Sequence, residues 1–244
     1  MPDSPATVVA TSPDTQAQIS GSEKRRRWLE LYLVLFVAFG SSVTSSLYML
    51  ANGAAALPHP SNSRWILGIL HQSTALLLLV YVLSRRGLGL KDLGFRWSVR
   101  DAGMGILLAF TSRGAYLLGY RFIQTAHYRL YGSYATVHTP KEIFGHLSIL
   151  FAIYSWFLTP LFEELIVRAY VITEIIQLTG SSALAVILCI ALQFSYHLYY
   201  GWTTAAALAC GFTVFALYYA RTRRALPLVV AHALLNIQAG IRLL

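Results

Sequence analysis

Apolar runs of hydrocarbon length, set apart by short basic blocks, constrain this chain more than any other feature. A helix needs about 20 apolar residues to cross a bilayer. Runs of that order lie at about 28–51, 65–83, 102–123, 144–178, 183–200, 204–219 and 226–243. Hydrocarbon offers the backbone no hydrogen-bond partners, so each run is expected to be a helix that satisfies its own amides. Composition agrees. Only 12% of the 244 residues are charged and the mean hydropathy is +0.56, where a globular domain carries about 25% charged residues. The expected fold class is all-α, a polytopic membrane helix bundle of seven to eight transmembrane helices. The count is eight if Pro160 divides the long run 144–178. In that case Ser155 and Thr159 could satisfy the carbonyls that the proline frees.

Residues 1–22 are rich in Ser, Thr, Pro and Asp without an apolar period, and read as a disordered cytoplasmic N-terminal tail. Residues 23–244 then form a single transmembrane domain. The basic blocks are Lys24–Arg27, five basic residues from Arg85 to Arg100, and Arg221–Arg224. Because cytoplasmic loops collect Lys and Arg, these blocks place the N-terminus and both loops on the cytoplasmic face. The net charge of +9 resides largely in them and not on a basic helix face, which argues against a nucleic-acid partner. Cys189 and Cys210 sit inside apolar runs with no CxxC or Cys/His spacing, and read as packing residues.

Charges inside the runs are costly and need partners and a reason. Glu163, Glu164 and Arg168 stand in one run, His197 near the end of the next run, and His232 with Asn236 in the last. Glu164 and Arg168 are spaced i, i+4 with the acid first, so they can pair within a helix. Glu163 is rotated one step around and is left as the free carboxylate, a candidate general base. His197 could hold or shuttle the proton of the same water. His232 and Asn236, also i, i+4, share a helix face from which two donors could stabilise an oxyanion. With Gly180–Ser181 as the pivot of a helical hairpin, Glu163 lies about seventeen residues before it and His197 about sixteen after, so 1.5 Å per residue brings them to one depth. The same count from the Arg221–Arg224 turn leaves His232 roughly 10 Å away from that level.

Each residue alone has a plainer reading. Glu-Glu-x-x-x-Arg can be a solvated helix end, and a lone intramembrane His or Asn is often a bridge between helices. Arg113, mid-run, must find an anion or a wet cavity, and Glu163 or Glu164 could pair with it. Glu30 and Glu174 fall near interfaces and read as solvated. His71 reads as a packing contact, and His59, His127, His138 and His146 as incidental loop or run-end residues.

Glu163-Glu164-x-x-x-Arg168, then Phe194-Ser-Tyr-His197, then His232-x-x-x-Asn236, in this order, resembles the CPBP family of CAAX proteases and bacteriocin-processing enzymes, also called Abi, which includes the type II CAAX prenyl endopeptidases. The resemblance covers about 144–236, within a motif-bearing core of about 144–240, with Leu93-Gly-Phe-Arg96 similar to a weaker upstream feature. It departs at Gln193, where the family commonly has Phe. The resemblance implies an intramembrane endopeptidase of membrane-embedded or lipid-linked substrates, multi-pass in a bacterial plasma membrane. By the same resemblance Glu163 is the catalytic glutamate, Glu164 and Arg168 its supporting pair, His197 the water-activating histidine, and His232 and Asn236 the oxyanion pair. No cofactor is expected, although Glu163, His197 and His232 could ligate zinc. The sequence lacks His-Glu-x-x-His and Gly-x-Ser-x-Gly, and no aspartate lies mid-run to form an aspartyl dyad. Two other classes stay open: a non-catalytic membrane protein for bacteriocin immunity or partner scaffolding, and a transporter whose acidic pair relays protons.

Overall fold

The computed structural model describes residues 20–53, 61–145 and 148–243, and every regular element among them is helical. The tail to residue 19, His59 and His146 lie outside the described residues. The helices are α1 (Gly21–Asn52), α2 (Asn62–Ser84), α3 (Val99–Tyr131), the short α4 (Pro140–Phe144), α5 (Ile149–Thr179), α6 (Ser182–Tyr196), α7 (Trp202–Thr222) and α8 (Leu226–Gly240). The apolar runs foretold seven of these, and α1 starts a few residues earlier than its run because Ser20 caps it, accepting from the Glu23 amide.

Four helices, α1, α2, α5 and α7, are long and apolar enough to cross a membrane. Helices α6 and α8 are apolar but shorter. Helix α3 is the longest, yet Arg113, Arg121 and Arg129 interrupt it. The chain is therefore an all-helical integral membrane protein. Helix α5 runs unbroken through Pro160, so the division at that proline does not occur.

Small residues set how closely α3 lies along α7 and α8. A Cβ on Gly105 would fall 2.7 Å from the Val230 side chain, and one on Gly211 3.1 Å from the Ser112 carbonyl. The Ser112 hydroxyl donates to the Gly211 carbonyl at 3.0 Å. In lipid, where apolar burial drives little, such close approach is what holds helices together.

The face bearing the basic blocks is closed by polar and apolar contacts together. Arg27 donates to Glu174 at 2.9 Å, Arg86 donates to the other Glu174 oxygen at 2.8 Å, and Arg86 also pairs with Glu30. Glu174 is 2% exposed, so it is a buried cross-link between α5, α1 and the end of α2 and not a solvated charge. Burial alone would lower the Arg86 pKa, but the hydrogen bond to Glu30 and the charge of Glu174 outweigh it and raise that value. The loop after α2 then tucks inward. Leu93 is buried, its carbonyl accepts from the Tyr219 hydroxyl at 3.1 Å, and the Gly94 carbonyl accepts from the Ala225 amide at 3.1 Å. Gly94 has φ +76°, and a Cβ there would fall 1.8 Å from the Arg223 carbonyl oxygen. Only glycine fits.

Candidate functional site

Two stretches of α5 are wound wider than an α-helix, Ile153–Leu158 and Glu164–Tyr170. Such wide turns gather at functional sites, and here the first has a cause in the sequence. The Thr159 amide bonds five residues back, to the Tyr154 carbonyl. The next amide in that register belongs to Pro160, which has no N–H, so the Ser155 carbonyl is left over. Asn236 on α8 donates to it at 2.7 Å. The carbonyl freed by the proline is thus satisfied by Asn236 and not by the hydroxyls of Ser155 or Thr159. Thr159 instead exchanges hydrogen bonds with Gln72 on α2, at 3.1 and 3.2 Å.

The second wide turn carries the ionisable residues. Arg168 lies 3.3 Å from one Glu164 oxygen and 3.9 Å from a Glu163 oxygen, and its guanidinium sits over the Phe212 ring at 4.5 Å. The expected Glu164–Arg168 pair is present. The same Glu164 oxygen accepts from His232 Nδ1 at 2.7 Å. Glu164 and Arg168 are wholly buried. Their geometry suits holding His232 and offsetting charge.

Glu163 points elsewhere. Its Oε2 accepts from the Tyr196 hydroxyl at 2.7 Å, and that hydroxyl is also 2.5 Å from the Gln193 side-chain amide. Gln193 in turn places its backbone carbonyl 2.9 Å from His197 Nδ1 and its side-chain nitrogen 3.1 Å from the same atom. One turn of α6 therefore links Glu163 to His197 through Tyr196 and Gln193. The helix stops there: His197 leaves the helical region, Leu198–Tyr200 forms a single tight turn, and Gly201 takes φ +89°.

A cavity of about 100 Å³ is lined by Glu163, His197, His232 and Asn236 together with Ser155 and Thr159. A second, of about 310 Å³, shares His197, His232 and Asn236 and extends past Arg113, His138 and Gln238. Arg113 packs against the Tyr116 ring at 5.0 Å and forms no ion pair with Glu163 or Glu164, so that pairing is not made. His71 contacts the Val37 carbonyl at 2.8 Å, the packing role expected of it. Among the described residues no group of three or more His, Cys, Asp or Glu side chains is arranged to hold a metal ion, and Glu163, His197 and His232 form no such set.

The depth argument holds for Glu163 and His197, and the apparent 10 Å offset of His232 has a structural answer. Glu164 lies fifteen residues from the end of α5, and its partner His232 six from the start of α8. Nine residues at 1.5 Å each set the start of α8 roughly 13 Å inward of the end of α5. The 223–225 turn is recessed, and the loop around Gly94 covers it. Sequence reasoning missed Tyr196, Gln193 and Phe212. A tyrosine abutting a candidate histidine, and a glutamine one turn before it, were the available signals.

Residues 145–238 match the family model described as Rce1-like, type II CAAX prenyl endopeptidase Rce1-like. This segment belongs to the CAAX-protease family. It begins just before α5 and ends within α8, so all six candidate residues fall inside it. No curated protein and no solved structure matches the chain. The match supports a CAAX-type intramembrane protease role in general terms.

Proposed function

We propose that the chain is an intramembrane endopeptidase that hydrolyses peptide bonds of membrane-associated substrates. The observation that carries this reading is the cavity of about 100 Å³ walled by Glu163, His197, His232 and Asn236 at once. Glu163, with one oxygen held by Tyr196, turns the other to a water and removes its proton as the oxygen attacks the scissile carbonyl carbon. His197, its Nδ1 fixed on the Gln193 carbonyl, uses Nε2 to orient that water. The tetrahedral oxyanion is met by His232 and by the second amide hydrogen of Asn236. Glu164 occupies Nδ1 of His232, which leaves Nε2 as the ring nitrogen for the oxyanion. The proton on Glu163 then passes to the leaving amine nitrogen. Seven helices span in this reading, with α6 and α8 the shortest of them, and the N-terminus lies on the cytoplasmic side.

The test uses the purified protein in detergent or proteoliposomes with a farnesylated C-terminal peptide as probe, products being read by mass spectrometry. Glu163→Gln should lower hydrolysis by about 10²–10⁴-fold, the range of a lost general base, with the thermal midpoint near that of the parent. Equal cleavage by the variant overturns Glu163 as the base, and no cleavage by the parent sinks the hydrolase reading and favours a scaffolding or immunity role. Hydrolysis should persist in chelator, since the water is activated by side chains; abolition restored by zinc alone would overturn that part.

A further inference from the structure

Both cavities lie toward one end of the bundle, and it is the end away from the basic blocks. The walls that reach furthest outward are Val137–Thr139 between α3 and α4, Tyr199–Tyr200 after α6, and Gly240 and Leu243 at and after the end of α8. Blocks 24–27, 85–100 and 221–224 begin or end helices at the opposite end, and none of their residues lines either cavity. Between the site and that basic end the interior is filled. Ile166, Ile172, Phe215, Ala216 and Leu228 are all 0% exposed. Beyond them the Gly94 loop seals the recessed 223–225 turn, and the Glu174 network ties the helix ends.

The rim of the cavities carries a second mark. Tyr131 at the end of α3, Tyr134 just after it and Trp202 at the start of α7 are exposed at that end of the bundle, and Tyr200 and Phe144 line the cavities. Tyr and Trp concentrate where hydrocarbon meets headgroups, so the openings sit at an interface. By the distribution of Lys and Arg, that interface is the one facing away from the cytoplasm.

We propose that the site is entered from the non-cytoplasmic face, so that the substrate is a membrane-anchored peptide whose scissile bond is presented on that side of the bilayer. The substrate class rests on the hydrolase reading; the sidedness does not. A lipid-linked tail exposed only to the cytoplasm would meet the closed end of the bundle.

The experiment is cysteine accessibility in a Cys189→Ala, Cys210→Ser background, in intact spheroplasts and in inverted vesicles, with a small membrane-impermeant methanethiosulfonate. His138→Cys and Leu235→Cys report the large cavity, and Leu88→Cys reports the basic loop. The cavity positions should react at least ten-fold faster from outside, and Leu88→Cys at least ten-fold faster in inverted vesicles. Reaction of the cavity positions from the inside, or equally from both sides, overturns the proposal. Should Leu235→Cys fail to insert, His138→Cys on its loop still decides. Repeating the labelling in Glu163→Gln separates the two ideas. Labelling from outside with no hydrolysis by the parent removes the protease reading alone, and hydrolysis with labelling only from inside removes the sidedness alone.

Discussion

Tyr196 gives Glu163 a hydrogen bond at 2.7 Å, and with it an orientation. A hydrogen bond to a charged group is worth about 1.5–3 kcal/mol, so Tyr196→Phe should reduce kcat/KM by roughly 10–100-fold through a carboxylate no longer held toward the water. Steady-state hydrolysis of the farnesylated probe checks this, and an unchanged rate would make Tyr196 a packing residue. Arg168 plays a different part, since it pairs with Glu163 and Glu164 but does not line the cavity walled by Glu163 and His197. Breaking a buried pair by removing one partner costs about 3–5 kcal/mol. Arg168→Met should therefore depress the thermal midpoint far more than Glu163→Gln, a ranking that differential scanning fluorimetry in detergent reads directly. These residues differ in how visible they were. Charges in an apolar run announce themselves because hydrocarbon penalises them, and their i, i+4 spacing fixes the pair. Tyr196 was harder to read: it abuts His197, but a tyrosine near a run end also reads as an interfacial anchor, and only the contact with Glu163 on the neighbouring helix shows its role.

At the level of single elements, α5 does most to shape the site, and it does so through an irregularity. Its wide turn upstream of Pro160 leaves the Ser155 carbonyl to Asn236, which comes from 81 residues away in sequence. Pro160→Ala supplies an N–H that can take that carbonyl back into the helix, releasing Asn236. Thermal stability should stay close to the parent or rise slightly, while kcat/KM falls by roughly 10-fold as an oxyanion donor loses its anchor. Parallel melting and kinetic measurements check the split, and a fall in both together would mean that the proline matters for folding and not for Asn236. The existence and order of the helices were legible from hydropathy alone. Continuity through Pro160 was not, because a proline in an apolar run is consistent with a break or with a bridged helix, and the bridging group belongs to a distant segment. For the same reason the level of His232 could not be counted along the chain, since the recess of the 223–225 turn depends on the loop around Gly94.

Across the whole molecule, one end of the bundle is locked and the other holds the cavities, and the lock depends on close backbone contact. Gly94 has positive φ and no room for a Cβ, which would meet the Arg223 carbonyl oxygen at 1.8 Å, a backbone atom that cannot rotate away. Gly94→Ala must therefore lift the loop, break the Gly94–Ala225 hydrogen bond and withdraw the Leu93 carbonyl from Tyr219. Strain of this kind costs about 1–3 kcal/mol even before the lost contacts. The expected outcome is faster amide exchange at Ala225 and Leu228, with the thermal midpoint lowered by several degrees, while exchange at Tyr200 and Gly201 near the cavity rim keeps its parental rate. Loop lifting should also raise the reactivity of a Leu93→Cys thiol in the Gly94→Ala protein above that of the same thiol beside Gly94, where residue 93 is buried. Hydrogen exchange by mass spectrometry reads the first pair of signals. Increased exchange at both ends at once would show the bundle to be a single cooperative unit and remove the distinction between a sealed end and an open one.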